Sequence, residues 1–297
     1  MTSFQQEETL HYFKTNAVDW QNKVRESGNG QLNIAQQRNS YVAEIIRDRK
    51  GIRSLLDVGC GTGDLVCNVA KQGITATGVD FAQDMIEIAL NKIKENQLEN
   101  ARFECCSIFN FNFSKQKFDI ISANGFIEYI SQHELNVFFD IVYNALTPNG
   151  SFVVGSRNRL FNLFSLNAFT HQELNESSVE DLLYESVALA SGKKIDEISG
   201  MKTTPLQNPD IQHTNTGIDV KTRFQYTPLQ LVNMINNIGF KVVEIYPIHI
   251  HSVPPVFKNR HPEIHAFISS LLQAYAKQCS ELVPFSSSFM LHAQKGE

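Results

Sequence analysis

The sequence predicts a doubly wound α/β fold, a mostly parallel sheet with helices on both faces. Three observations lead there. Ser54 to Leu65 reads as a short apolar strand that stops in a glycine-rich turn and restarts as a helix. Strand-like and helix-like hydrophobic periods then alternate as far as Gly155, a pattern that demands right-handed crossovers between parallel strands. Asp80, finally, closes the second strand about 20 residues beyond the glycines, where such sheets place an acceptor for ribose hydroxyls.

Ahead of the turn, Leu10, Tyr12, Phe13, Ala17, Val18 and Trp20 recur at helical spacing, with a breaker at Ser27-Gly28-Asn29-Gly30. Trp20 is read as a packing residue. Ile34 to Arg49 forms a second helical stretch that packs on the sheet. Beyond Gly63, Leu65 to Ala70 is a helix ending near Gly73, Ile74 to Val79 a strand, Ala82 to Asn96 a helix and Arg102 to Cys106 a strand. Phe118 to Ala123, a helix over Leu135 to Leu146, and Gly150 to Gly155 complete the regular series.

Ser156 to about Thr222 lacks a clear period and is too long for an ordinary connection, so it is read as a substrate-side lid. Its apolar stretch Leu160 to Leu166 is expected to line a pocket. Thr227-Pro228 opens a further helix that Gly239 ends, Phe240 to Tyr246 is the sixth strand, Pro247 to Pro284 a second insertion with a helix from Pro262 to Gln278, and Phe285 to Ala293 the last strand. The domain division expected is an N-terminal helical cap (1–50), a nucleoside-binding core (51–156 and 223–297) and the lid (157–222).

Composition narrows the function. The 297 residues are 42% hydrophobic and 19% charged, ordinary for a globular chain. A net charge of -5 offers no basic footprint for nucleic acid. The five cysteines, Cys60, Cys67, Cys105, Cys106 and Cys279, follow neither disulfide nor metal spacing, and no metal ligand set is assigned. The first ten residues carry no basic-then-apolar leader and no apolar run reaches about 18 residues, so a cytoplasmic protein is expected.

The glycine turn is informative about charge. A phosphate cradle wants Lys and Ser/Thr after its glycines, whereas Asp57 and Asp64 flank this one. That framing suits a ligand with ammonium or sulfonium charge and disfavours a pyrophosphate. A nicotinamide dinucleotide site would also want a third glycine three residues after Gly61, where Asp64 stands.

Leu56-Asp57-Val58-Gly59-Cys60-Gly61-Thr62-Gly63, Thr77-Gly78-Val79-Asp80, Phe118-Asp119-Ile120-Ile121 and Leu146-Thr147-Pro148-Asn149-Gly150, in that order and spacing, together resemble the class I S-adenosylmethionine-dependent methyltransferases. Ile127-Glu128-Tyr129 and Ser156-Arg157-Asn158-Arg159 make the chain look most like small-molecule O-methyltransferases of the ubiquinone-biosynthesis type. The resemblance implies a Rossmann-like seven-stranded sheet, mostly parallel with an antiparallel last strand, and S-adenosyl-L-methionine as cofactor. It also implies roles. Gly59, Cys60, Gly61 and Gly63 approach the methionine moiety, Asp57 orients the ammonium, and Asp80 binds the ribose. Phe81 and Met85 flank the adenine, which Ser107 and Ile108 meet where the family commonly has Asp. Asn124, Gly125 and Phe126 line the methyl end, and Arg38 pairs with the cofactor carboxylate.

Acceptor residues are sought past the carboxyl ends of the strands. Arg157, Asn158 and Arg159 follow the fifth strand, with Arg157 and Arg159 suited to an anionic substrate; Tyr226 is a candidate for positioning it. His249 and His251, after the sixth, are the favoured catalytic bases, because an imidazole takes a proton at neutral pH. His171 and His213 in the lid are further candidates. The function expected is methyl transfer to a small metabolite or sugar-like hydroxyl by a monomer or homodimer. A nucleic-acid or protein methyltransferase and a non-catalytic cofactor-binding protein stay open, although Asn124-Gly125-Phe126-Ile127 lacks the Asn/Asp-Pro-Pro-aromatic run of many amino-methylating enzymes.

Overall fold

In the computed structural model, which describes residues 4–25, 33–114, 116–209, 220, 223–258 and 260–296, a seven-stranded sheet forms the centre of the molecule. The chain enters through helices α1 (Phe4–Thr15), α2 (Ala17–Arg25) and α3 (Ile34–Asp48). The alternating core follows as β1 (Ser54–Val58), α4 (Asp64–Ala70), β2 (Thr75–Asp80), α5 (Gln83–Glu95), β3 (Ala101–Cys105), β4 (Phe118–Asn124), α6 (Gln132–Ala145) and β5 (Leu146–Arg157). Short helices α7 (Phe161–Ser165), α8 (Ala168–Asn175), α9 (Val179–Ala190) and α10 (Ile195–Ile198) come next. The chain closes with α11 (Pro228–Ile238), β6 (Phe240–Ile250), α12 (Pro255–Lys258), α13 (Pro262–Gln273) and β7 (Ser286–Lys295).

The strand order is β3-β2-β1-β4-β5-β7-β6. β1 to β5 pair in parallel, and β7 runs antiparallel between β5 and β6, as the resemblance implied. Apolar strand residues face both ways, so two cores form. Leu56, Ile121, Phe152 and Leu291 pack with α6, α9 and α11 on one side; Leu55, Ile120, Val153 and Met290 pack with α3 and α4 on the other. Local signals agree with this packing. Thr227 caps α11 in a box with Gln230, Pro228 opens it and left-handed Gly239 ends it; Ser131 and Glu134 cap α6 in the same way.

Several sequence expectations are corrected. The stretch from Ser156 is largely helical rather than irregular: α7, α8 and α10 are too short to display a period, and the 12 residues of α9, Val179–Ala190, were missed. β6 continues to Ile250, which absorbs His249 into a strand instead of a loop. β5 extends over the expected turn at its start, and α13 stops at Gln273 rather than Gln278. The expected breaker at Ser27-Gly28-Asn29-Gly30 and the candidate His213 lie outside the described residues. Among the described residues, no helix is long and apolar enough to cross a membrane.

Candidate functional site

The strand order reverses between β1 and β4, and a cavity of about 460 Å³ opens past the carboxyl ends of these strands. The turn after β1 forms its floor. The N–H groups of Gly59 and Cys60 both donate to Val79 O, at 2.8 and 3.1 Å, and the Gly61 N–H donates to Asp80 Oδ2 at 2.9 Å. Ala82 N–H completes the grip on Asp80 through Oδ1 at 2.9 Å. The turn is therefore tied to the tip of β2 before any ligand arrives.

Two buried carboxylates give this end of the cavity its character. Asp57 accepts from Ser122 Oγ at 2.6 Å. Burial pushes its carboxyl up to about 7; the Ser122 bond opposes the rise, and the charges of Asp80 and Asp64 add to it. Burial also raises Asp80, against the pull of its three backbone amides. Asp64 differs from the sequence expectation: its Oδ1 lies 2.8 Å from Lys92 Nζ, and its other oxygen accepts from Thr62. The acidic framing thus rests on Asp57 and Asp80.

Arg38 of α3 forms part of the wall. Its guanidinium donates to Ser288 Oγ at 2.5 Å and lies 3.6 Å from Glu128, while its Nε is buried without a partner. It also covers Gly125, whose φ is +75° and where an added Cβ would strain the backbone and press on the Arg38 guanidinium. Arg157 and Arg223 gather on the same wall around Glu128 and Tyr129. Burial lowers the Arg157 pKa, Glu128 offsets that, and Arg223 and Arg38 deepen it. Arg38, Arg157 and Arg223 thus gather around Glu128 on this wall.

Of the residues expected at the cofactor, Arg38, Asp57, Gly59, Cys60, Gly61, Asp80, Phe81, Met85, Ser107, Ile108, Asn124, Gly125 and Phe126 line this cavity, and so does Arg157 from the acceptor set. Gly63 does not. It takes φ +76° at the N-cap of α4, and an added Cβ would fall 2.4 Å from Phe103 Cζ, so it is reserved for packing.

The acceptor expectations change most. Asn158 is buried and donates to Val283 O and Ser286 O, pinning the chain entering β7. Arg159 is buried against Glu173, with Nε to Oε1 at 2.9 Å and Nη2 to Oε2 at 2.7 Å. Tyr226 is 1% exposed within the core. His249 and His251 are buried outside the cavity, and burial depresses them to about 3 and about 2, against the near-neutral value a base needs. His171 is exposed and away from the cavity, and none of the described residues from 158 to 220 lines it, the stretch Leu160 to Leu166 included. Gln6, Thr9, Phe13 and Trp20 of the N-terminal helices cover it instead. Phe13 and Trp20 pack edge to face at 5.6 Å and lean on Ala82 and Met85. Reading Trp20 as plain packing missed this; its being the only tryptophan was the one available signal.

This fold, with a glycine turn held by an acidic strand tip beside a second buried carboxylate, is that of a nucleoside-binding α/β protein. The chain belongs to the class I S-adenosylmethionine-dependent methyltransferases: the family model described as "Methyltransferase domain" matches residues 50–211. A ubiquinone biosynthesis O-methyltransferase of Coxiella burnetii is 35% identical over 123 residues, covering 41% of this chain and 51% of that protein. The chain thus spans about half the length of that curated relative. Magnesium protoporphyrin IX methyltransferase of Synechocystis PCC 6803, solved with bound SAH, superposes with a TM-score of 0.55 at 14% identity over 98% of this chain and 100% of that one. The Burkholderia thailandensis 1,6-didemethyltoxoflavin-N1-methyltransferase gives 0.58 at 12% identity over 100% and 92%. These two share the fold.

Proposed function

We propose that the chain transfers a methyl group from S-adenosylmethionine to the hydroxyl oxygen of a small acceptor that carries an anionic group. The observation that carries this reading is the polarity of one cavity: Asp57 and Asp80 at the end suited to a cationic amino acid and a ribose, and Arg38, Arg157 and Arg223 on the wall by β4 and β5. The residues present fit the cofactor. Both Asp80 oxygens keep lone pairs for ribose hydroxyls, and Arg38 Nε is a buried donor without a partner. The name of the Coxiella relative supports oxygen as the methylated atom.

When bound, the cofactor supplies an electrophilic methyl group on a sulfonium. The chain's own contribution is alignment and exclusion of water. Ionised Asp57 meets the ammonium and Arg38 the carboxylate. Ser107, Ile108, Phe81 and Met85 hold the adenine by a hydroxyl and apolar contact. Arg157 and Arg223 hold the acceptor's anion, while Trp20 and Phe13 close the site from above. Since no histidine lines the cavity among the described residues, Glu128 is the carboxylate we assign to receive the hydroxyl proton. Asp57, Arg38 and Asp80 would hold the cofactor that supplies its methyl group to the acceptor oxygen, whose proton Glu128 would take. We extend the reading to a cytoplasmic monomer or homodimer without a nucleic-acid partner; the net charge of -5 supports the last point.

The test is incubation with isotopically labelled S-adenosylmethionine and a panel of carboxylated and phosphorylated phenols and polyols, read by mass spectrometry. Label in a low-molecular-weight product supports the proposal. Binding of S-adenosylhomocysteine with no transfer to any panel member would favour a non-catalytic cofactor-binding protein.

A further inference from the structure

The three histidines that the cavity does not use lie together. His249 near the end of β6, His251 just beyond it and His265 in the first turns of α13 are 7%, 3% and 6% exposed. His249 and His251 stand two positions apart where β6 ends, with their rings side by side, and α13 carries His265 across to them. The ring centroids are 4.2 Å apart for His249 and His251 and 4.7 Å for His251 and His265. One ring nitrogen from each can be chosen so that all three fall within 4.8 Å of one another.

The hydrogen bonding of this cluster is incomplete. Neither ring nitrogen of His251 has a partner, nor does Nδ1 of His265. The Ser269 hydroxyl, one turn along α13, is buried and also unpartnered. A neutral imidazole always has one donor and one acceptor, and burying either without a partner is costly. The contacts that do exist are informative. His249 Nε2 lies 3.3 Å from His265 Nε2, and two ligands at about 2.0–2.1 Å from a tetrahedral zinc ion are themselves about 3.3 Å apart. His249 Nδ1 meets Ser287 Oγ at 2.9 Å, the outer hydrogen bond that ordinarily fixes the tautomer and orientation of a metal-binding histidine. His249 holds this position with φ +55°, a backbone state that surrounding packing must enforce in a non-glycine residue.

We propose that His249, His251 and His265 bind a zinc ion between the end of β6 and α13, leaving a fourth position to water. An ion there takes one of the two orphaned His251 nitrogens together with the facing Nε2 atoms of His249 and His265, and fastens α13 to the sheet. Its placement gives it a route to the cofactor cavity, because Ser287, which holds His249, also lines that cavity. Lys258 of α12 is a cation whose charge acts on all three rings, so it opposes the ion.

The test uses the full chain stripped with a chelator and titrated with Zn²⁺ against a chromophoric competitor, and separately with Co²⁺ to read its tetrahedral ligand-field bands. Equimolar Zn²⁺ binding is expected, with a rise in melting temperature, weakened at least about tenfold in His251→Ala and His265→Ala and unchanged in the exposed His171→Ala. Lys258→Ala is expected to tighten it. Because the histidine variants can lose folding as well as metal, circular dichroism accompanies them and Lys258→Ala serves as the variant that leaves the ligands intact. No Zn²⁺ binding by the wild type, or equal binding by folded His251→Ala, would overturn the site.

Discussion

The backbone N–H of Gly61 donates to Asp80 Oδ2 at 2.9 Å, so the residue assigned to the ribose also shapes the turn assigned to the methionine moiety. Asp80→Ala removes both roles at once. Hydrogen bonds to a charged group are each worth about 1.5–3 kcal/mol, and S-adenosylhomocysteine affinity measured by calorimetry is expected to fall about 100-fold. A change within about twofold would refute this assignment.

Asp57 makes cofactor binding pH-dependent. Burial lets the free protein keep this proton up to about 7, while an ammonium group requires the carboxylate. Affinity for S-adenosylhomocysteine should therefore climb as pH rises through 7 and level off above it, with a flatter profile in Asp57→Asn. The stability effect in the free protein has the opposite sense. A carboxyl whose folded value is raised contributes stability at low pH and loses it as pH rises through about 7. Thermal melts of the free chain and of Asp57→Asn, compared at pH 5 and pH 8, read that loss.

A side chain at position 125 would push against the Arg38 guanidinium. Gly125→Ala is expected to displace the guanidinium and weaken S-adenosylhomocysteine binding about tenfold. Gly73 also has positive φ, at +83°, but nothing lies within 4 Å of an added Cβ. Gly73→Ala should thus cost about 1–2 kcal/mol of stability and leave binding alone, which separates backbone strain from the loss of the arginine.

For the acceptor, Arg157→Leu is expected to raise KM for the anionic substrate at least about tenfold, with cofactor affinity within about twofold of wild type. Arg157→Lys restores the charge but not the planar fork, and only partial rescue is anticipated. Should cofactor affinity fall as far as KM rises, Arg157 belongs to the cofactor end instead.

Arg159 and Glu173 tie α8 to the end of β5, and Glu173 also accepts from Asn162 and Ser178. Removing one partner of a buried pair costs up to about 3–5 kcal/mol, and without Glu173 the buried Arg159 keeps, among the described residues, only Glu176, at 3.6 Å, and the Pro205 carbonyl. Glu173→Ala should lower the melting temperature by about 10 °C, on the scale of about 2–4 °C per kcal/mol for domains approaching this size. Arg159→Met with Glu173→Leu should recover much of that loss.

The sequence by itself determined the alternating sheet, the glycine turn, Asp57 and Asp80, because these depend on short-range periodicity and on fixed spacing after a strand, and its resemblance to a family implied most of the cavity lining. Thirteen residues that the family resemblance assigned to the cofactor meet around one cavity. What covers that cavity, and what becomes of the polar residues beyond β5, only the tertiary structure decided. Nothing local distinguishes Arg157, which faces the cavity, from Arg159, which is sealed against Glu173 14 positions away. Nor could spacing show that Trp20 folds over Gly61, or that His249 and His251 meet His265 behind the cavity. Those partners come from elements far apart in the chain, brought together by the packing of the two apolar faces of the sheet.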